Sequence, residues 1–270
     1  ASPPSTPGSI HPLRRALVAF LLVAGVSALL THRQHESNET LTQQAFAELA
    51  TRTAEHLRRR LVMYEYGLRG ARGTVIAAGI DEINRQRFRD YSESRDIEHE
   101  FPGARGVGII RRVREADVPR FVEQARRDGA PDFSIRTLSP HAGERYVIQY
   151  IEPIERNSAA VGLDIPSEPN RRAAAEASMK TGLATLTAPI TLVQATGKPQ
   201  RSFLLLLPIY APGSSAIPAE ERADFTVGWA YAPLIMDEVL SDFDIGTHFT
   251  LGLTDTAVPE AGTFFASAGY

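Results

Sequence analysis

His32, His35 and Glu36 come nearest to a metal-binding spacing in this chain, because a helix would set the two imidazoles and the carboxylate on one face. A zinc site needs a further donor, and none is identifiable. His32 also ends an apolar run, so the three read as polar groups at a membrane boundary. Gly103, Gly106 and Gly108 imitate the fingerprint that lets a dinucleotide approach a helix N-terminus, but the third glycine of that pattern is missing and the glycines precede a predicted strand. They read as turn and close-packing positions. Asp242 and Asp244 form a carboxylate pair around the apolar Phe243, which suits a helix end better than acid–base chemistry. The chain has no cysteine, which excludes disulfides, thiolate catalysis and cysteine-based metal centres. Walker loop, nucleophile elbow and HExxH motif are all lacking in the sequence, so an enzyme has no motif behind it and no cofactor is expected.

The 270 residues are 43% hydrophobic, enough to bury a core in one large domain or two small ones. The 29 basic and 32 acidic residues are spread along the chain and leave a net charge of -3, which argues against a nucleic-acid partner.

Residues 16–31 (ALVAFLLVAGVSALLT) are uncharged and apolar, preceded by Arg14 and Arg15 and followed by His32, Arg33, His35 and Glu36. As a helix this run rises about 24 Å, short of the roughly 30 Å of a bilayer core. Leu13 and snorkelling arginines cover the deficit. A cleaved signal peptide and a buried core helix are the competing readings. A signal would need a small-residue cleavage site that Ser27-Ala-Leu-Leu-Thr31 does not offer, and only an anchor explains a basic flank followed by a long polar helix. The organisation expected is a disordered cytoplasmic tail (1–12), a transmembrane anchor (13–32) and a long signalling helix (33–80). With Arg14 and Arg15 held inside, residues after about 32 lie outside the membrane.

Residues 37–78 contain no proline, open with the cap-like Ser37-Asn38-Glu39, and repeat Leu57, Leu61, Tyr64, Leu68, Ala71 and Val75 at three- and four-residue steps. One amphipathic helix accounts for this. Its polar face carries Arg58-Arg59-Arg60, which reads as a solvated run. Further helices are predicted over 81–95, 115–127, 168–181 and 233–243. Strands are predicted over 106–113, 133–137, 146–151, 186–193, 203–210, 226–232 and 249–254. Short neighbouring strands mixed with helices favour an α+β fold with an antiparallel sheet over a doubly wound one.

Five blocks stand out: Arg145-Tyr-Val-Ile-Gln-Tyr-Ile-Glu-Pro-Ile, Asn157-Ser-Ala-Ala-Val-Gly-Leu-Asp164, Arg171-Arg-Ala, Thr187-Ala-Pro-Ile, and Arg201-Ser-Phe-Leu-Leu-Leu-Leu-Pro-Ile-Tyr210. In that order, downstream of an apolar run and a long helix, they resemble the CHASE domain, the extracytoplasmic sensory module of membrane histidine kinases and nucleotide cyclases, known best from plant cytokinin receptors. The resemblance implies a long amino-terminal helix followed by two PAS-like antiparallel-sheet subdomains, a membrane-distal one (81–232) and the start of a membrane-proximal one (233–270), incomplete here, on a bacterial inner membrane with residues after about 32 in the periplasm. It further implies a ligand pocket in the distal one, dimerisation, and an output domain beyond Tyr270.

In the plant receptors an aspartate of a Leu-Asp-Met sequence bonds the hormone's purine, and Asp164 of Leu163-Asp164-Ile165 matches it. An ionised carboxylate only accepts hydrogen bonds, which suits a ligand with N–H donors. Pairing with Arg171 or Arg172, or capping near Ser167, is the structural alternative for Asp164. The family's Leu-Thr-Ser-Pro matches Leu186-Thr187-Ala188-Pro189 and makes Leu186 a candidate pocket floor, though a buried strand leucine is as simple. Tyr150, Phe203, Leu205, Trp229 and Tyr231 complete the implied pocket. Where the plant receptors place consecutive glycines this chain has Tyr231 and Ala232, and a phenol there reshapes the cavity unless it points away. The expected partners are a membrane, a second copy, and a small ligand, either a cytokinin-like adenine derivative or another amine or N–H donor. A membrane-tethered periplasmic hydrolase and a protein-interaction module are the alternatives.

Overall fold

The computed structural model describes residues 11–193, 202–211, 213, 217–243, 250–254 and 263–267. Residues 244–249, where Asp244 and the start of the predicted strand 249–254 fall, lie outside them, as does Arg201. The chain divides into two compact units, Ala1–Glu55 and His56–Tyr270. Helix α1 (His11–Ala78) is continuous.

In the first unit α1 passes through the expected cap at Ser37 without a break. The polar residues there are accommodated locally: Thr31, Thr40 and Thr42 donate their hydroxyls to the carbonyls of Ser27, Glu36 and Asn38 at 2.8 to 2.9 Å. A threonine that bonds the preceding turn no longer competes for the helix's own backbone groups. The apolar residues 17–30 stay exposed, and among the described residues this is the one helix long and apolar enough to cross a membrane.

The second unit is an α+β domain built on an antiparallel sheet. Its helices are the end of α1, α2 (Arg85–Glu93), α3 (Ile97–Glu100), α4 (Val118–Arg127), α5 (Ile154–Asn157), α6 (Pro169–Thr181), α7 (Arg222–Phe225) and α8 (Met236–Val239). Strands β1 (Val107–Val113), β2 (Arg145–Glu152), β3 (Thr185–Leu186), β4 (Ser202–Tyr210) and β5 (Thr226–Ile235) form one sheet in the order β2-β1-β5-β4-β3. Strands β6 (Gly252–Thr254) and β7 (Thr263–Ala266) pair separately.

Strand β4 reads Ser-Phe-Leu-Leu-Leu-Leu-Pro-Ile-Tyr and is buried at all but Tyr210, so both of its faces need cover. Phe203, Leu205, Leu207 and Ile209 join Tyr64, Leu68, Ala71 and Val75 of α1 and Phe88 of α2 in one core. Leu204 and Leu206 join Trp229 and Tyr231 of β5 and Ala174, Ala175 and Met179 of α6 in the other. The sheet is the middle layer, its side chains dealt alternately to the two sides. Gly67 lets α1 approach: a Cβ there would lie 2.1 Å from the ring of Phe101, which stacks on Tyr64 at 5.7 Å.

Several elements differ from the sequence expectation. Helix α2 begins only at Arg85, where the Asn84 side chain accepts from Arg87 N–H at 2.9 Å and caps it. Segment 133–137 makes a single bridge, Arg136 to Leu163, and segment 186–193 pairs through Leu186 and then only at Ile190. Pro189 has no N–H to give a ladder, which limits that strand. Strand β5 runs through Pro233 instead of turning helical there, because the Pro233 carbonyl still accepts from Arg105 N–H at 2.9 Å.

Arg60, from the run read as solvated, is buried and forks onto both carboxylate oxygens of Asp242 at 2.7 Å while donating to the Val239 carbonyl. That bidentate hydrogen bond holds Asp242 below its ordinary carboxylate value, and the pair ties α1 to the end of α8. With its folded pKa depressed, Asp242 contributes stability above its unfolded value near about 4, and that contribution is lost as pH falls through the lower folded value. We expect Asp242→Asn to lower the urea midpoint at pH 7, and the gap to wild type to close as the pH falls below about 4; a gap constant down to pH 2.5 would contradict the pairing.

Candidate functional site

Because side chains alternate along a strand, the sheet divides the seven residues implied by the sequence. Tyr150, Phe203 and Leu205 lie in the core facing α1, with Leu186 packed at its margin. Trp229 and Tyr231 lie in the core facing α6. Asp164 stands beside the edge strand β2, bridging Val147. The seven therefore do not surround one volume.

Tyr150 is a structural tie. Its hydroxyl donates to Asp128 Oδ2 at 2.7 Å and accepts from Gln149 Nε2 at 2.9 Å, while both Asp128 oxygens accept Arg85 N–H at 3.0 Å. Burial, helped by the Asp128 carboxylate, pushes the phenol far up, so it remains a neutral donor. Trp229 fastens α6 to the sheet: Nε1 donates to Ser178 Oγ at 2.9 Å, and its ring meets Tyr146 at 4.5 Å. Leu205 pairs with Leu186 across β3 and β4, a packing contact on both sides.

Tyr231 pairs in register with Gly108, and a Cβ on Gly108 would lie 2.4 Å from the Tyr231 ring and 2.4 Å from the Tyr150 carbonyl. The phenol that the sequence places in the family's glycine segment thus lies over a glycine of the neighbouring strand. Gly103 and Gly106 likewise admit backbone, Glu238–Val239 and Glu152 respectively. Burial pushes the Tyr231 phenol well up, and among the described residues its hydroxyl has no hydrogen-bond partner.

Asp164 is fully buried, and its carboxylate is occupied on both oxygens. Oδ1 accepts Tyr146 N–H at 2.9 Å; Oδ2 faces His141 Nε2 at 2.5 Å and accepts from Arg145 Nη1 at 3.3 Å. The arginines weighed from sequence go elsewhere: Arg171 Nη2 donates to the Thr191 carbonyl at 2.8 Å and Arg172 Nη2 to Pro166 at 2.7 Å. The Ser167 hydroxyl donates to the Asp164 carbonyl, not to its carboxylate. His141 was missed because it lies in an irregular segment 23 positions before Asp164, with no periodicity to connect them. Arg145, at the head of β2, was in view only as part of a strand.

The largest cavity described, about 640 Å³, lies on another part of the surface, between Arg111, Arg112, Asp117, Arg120 and Asp224. Two of its arginines are engaged, Arg111 with Asp81 at 2.8 Å and Arg112 with Glu144 at 2.6 Å. None of the seven sequence candidates lines it. Among the described residues no group of three or more His, Cys, Asp or Glu side chains is placed to hold a metal ion.

Comparison with known proteins adds one finding: the family model described as the CHASE domain matches residues 81–265. No curated protein matches the chain.

Removing one partner of a buried charged group costs about 3–5 kcal/mol because the others keep their desolvation penalty. Asp164→Ala, which strands Tyr146 N–H, His141 and Arg145, should destabilise by about that amount in denaturant unfolding, whereas Asp117→Ala on the exposed rim should change stability by less than about 0.5 kcal/mol. Gly108→Ala should also destabilise, by about 1–3 kcal/mol, since its Cβ must displace backbone or the Tyr231 ring.

Proposed function

From the premise that this chain belongs to the CHASE-domain family, the extracytoplasmic sensory domains of receptors, we propose that it is the small-ligand sensing region of a membrane receptor. Ligand binding outside a bacterial inner membrane is passed through α1 to a cytoplasmic histidine kinase or nucleotide cyclase output. Residues 16–31 are the anchor, with Arg14 and Arg15 held inside by the positive-inside rule. The second unit is the PAS-like ligand-binding part, and two copies associate through α1.

The observation that supports the reading most is the state of Asp164. A fully buried carboxylate is shared here by an imidazole and a guanidinium from the chain itself, one of them on an irregular segment. A ligand with N–H donors takes the place of His141 on Oδ2, exchanging an internal charge-assisted bond for an external one. The free form is then the His141-bound state, and the ligand shifts the population by its preference for the exchanged one. A pocket at Asp164 opens only when His141 leaves, because His141 Nε2 stands 2.5 Å from Oδ2. Leu186, Tyr150, Phe203, Leu205, Trp229 and Tyr231 hold the sheet on which the exchange occurs.

The test is a thermal-shift and calorimetric titration of the 270-residue chain in neutral detergent against adenine, an N6-alkyl adenine and small primary amines. At least one should bind saturably. Asp164→Asn should weaken that binding by roughly ten- to a hundredfold, the equivalent of about 1.5–3 kcal/mol for a bond to a charged group, and His141→Ala should strengthen it. Glu123→Ala should have no effect. Unchanged affinity in both Asp164→Asn and His141→Ala would remove Asp164 from the site.

A further inference from the structure

We infer that Arg171 and Tyr231 form a second, carboxylate-accepting subsite between α6 and the sheet. Arg171 is 2% exposed and Tyr231 1%, and Tyr231 belongs to the apolar cluster that includes Ile165, Ile190 and Leu192. A guanidinium carries five N–H donors in a planar fork made for a carboxylate. Arg171 uses one of them on the Thr191 carbonyl at 2.8 Å. Its nearest anion, Glu168, stands 3.8 Å from Nε, beyond hydrogen-bonding distance. Glu168 is committed in any case: Oε1 accepts Asn170 N–H and Oε2 accepts Arg171 N–H, both at 3.0 Å, capping α6. Among the described residues, Arg171 Nε and Tyr231 Oη are left buried with no partner.

Arg60 and Arg111 also leave Nε unpaired, but their guanidiniums are committed to Asp242 and Asp81, whereas Arg171 has no carboxylate within hydrogen-bonding distance among the described residues. A purely structural arginine would be expected to take a bidentate acid or several carbonyls, and a purely structural tyrosine to reach a backbone acceptor. Both groups instead offer N–H or O–H to an acceptor that no described residue supplies. Burial keeps the phenol protonated, so it is a neutral donor at physiological pH. An acceptor-only anion satisfies both at once. The apolar cluster around them selects an anion with an apolar remainder, which means a small aliphatic or aromatic monocarboxylate and not a phosphate or a sugar acid. Asp164 and Arg171 sit on either side of the Ile165–Ser167 turn, so the exchange proposed at Asp164 and the filling of this subsite act on the same stretch of chain. The subsite deepens the sensor reading and depends on it for its biological sense, though not for its test.

The 270-residue chain in uncharged detergent is titrated with sodium propionate and sodium benzoate, against sodium chloride at equal ionic strength, with melting temperature and calorimetry as readouts. At least one carboxylate should bind saturably where chloride does not. Tyr231→Phe, which removes only the hydroxyl, should weaken that binding about tenfold, and in the ligand-free chain it should raise the melting temperature by about 2–4 °C by deleting an orphan polar atom. Arg171→Gln should abolish binding; if that variant does not fold, Tyr231→Phe decides alone. The inference is overturned if neither carboxylate saturates, if Tyr231→Phe leaves affinity unchanged, or if it lowers the ligand-free melting temperature, since the hydroxyl would then already have a partner. Adenine binding that depends on Asp164, with no carboxylate binding, overturns this subsite and leaves the sensor reading standing.

Discussion

Strand β4 must hide both of its faces, and that requirement organises the second unit. A strand of nearly unbroken apolar residues cannot sit at a solvated surface, so a helix has to lie on each side of the sheet. On one side the cover is α1, through Tyr64, Leu68, Ala71 and Val75; on the other it is α6, through Ala174, Ala175 and Met179. The choice of small residues on α6 lets that helix lie close enough for Trp229 to reach Ser178. Gly67 does the same for Phe101 on α1. Each helix is therefore held by the sheet, and the sheet by both helices.

Charge is buried in this domain only where the fold can answer it. Asp128 answers the Tyr150 hydroxyl and the start of α2; Asp242 answers Arg60; His141, Arg145 and Tyr146 N–H answer Asp164. In the first two cases the answer comes from regular elements or their ends and reads as fixed architecture. Asp164 differs, since the imidazole on it comes from an irregular segment, and an interaction that one loop makes can be unmade by a competitor. Arg171 Nε and Tyr231 Oη form the further exception, two buried donors with no acceptor among the described residues.

Much of this was legible in the sequence. Short runs of apolar, β-branched and aromatic residues located β1, β2, β4 and β5, a three-four repeat located the second half of α1, and the segment 168–181 was read as the helix that α6 forms, because these signals depend on neighbours within a turn or two. The α+β class followed from them. Signals that depend on distant partners were not legible. Nothing in Ser37-Asn38-Glu39 itself says whether it caps a helix or continues one, since that depends on the preceding apolar run being helical too. Nothing local gives Arg60 to Asp242, 182 positions away, or His141 to Asp164. The implied pocket list failed to converge in space for a related reason: Tyr150 and Tyr231 come from blocks that sequence places in one family pattern, but strand parity sends them to opposite faces.

Among the described residues, the buried apolar side chains of α1 diminish in bulk along the helix, from the phenol of Tyr64 and the isobutyl of Leu68 to the methyl of Ala71, with only Val75 widening again. A row of equal side chains would have equivalent resting places one turn apart, but this graded row has one. Sliding the helix by a turn, about 5.4 Å, would press a phenol into the space shaped for a leucine and leave a void behind it. Axial slippage at this contact is accordingly locked out. Whatever mechanical message reaches these turns of α1 must travel as a tilt or a rotation in which helix and sheet move together, with the graded row acting as a coupling and not as a bearing.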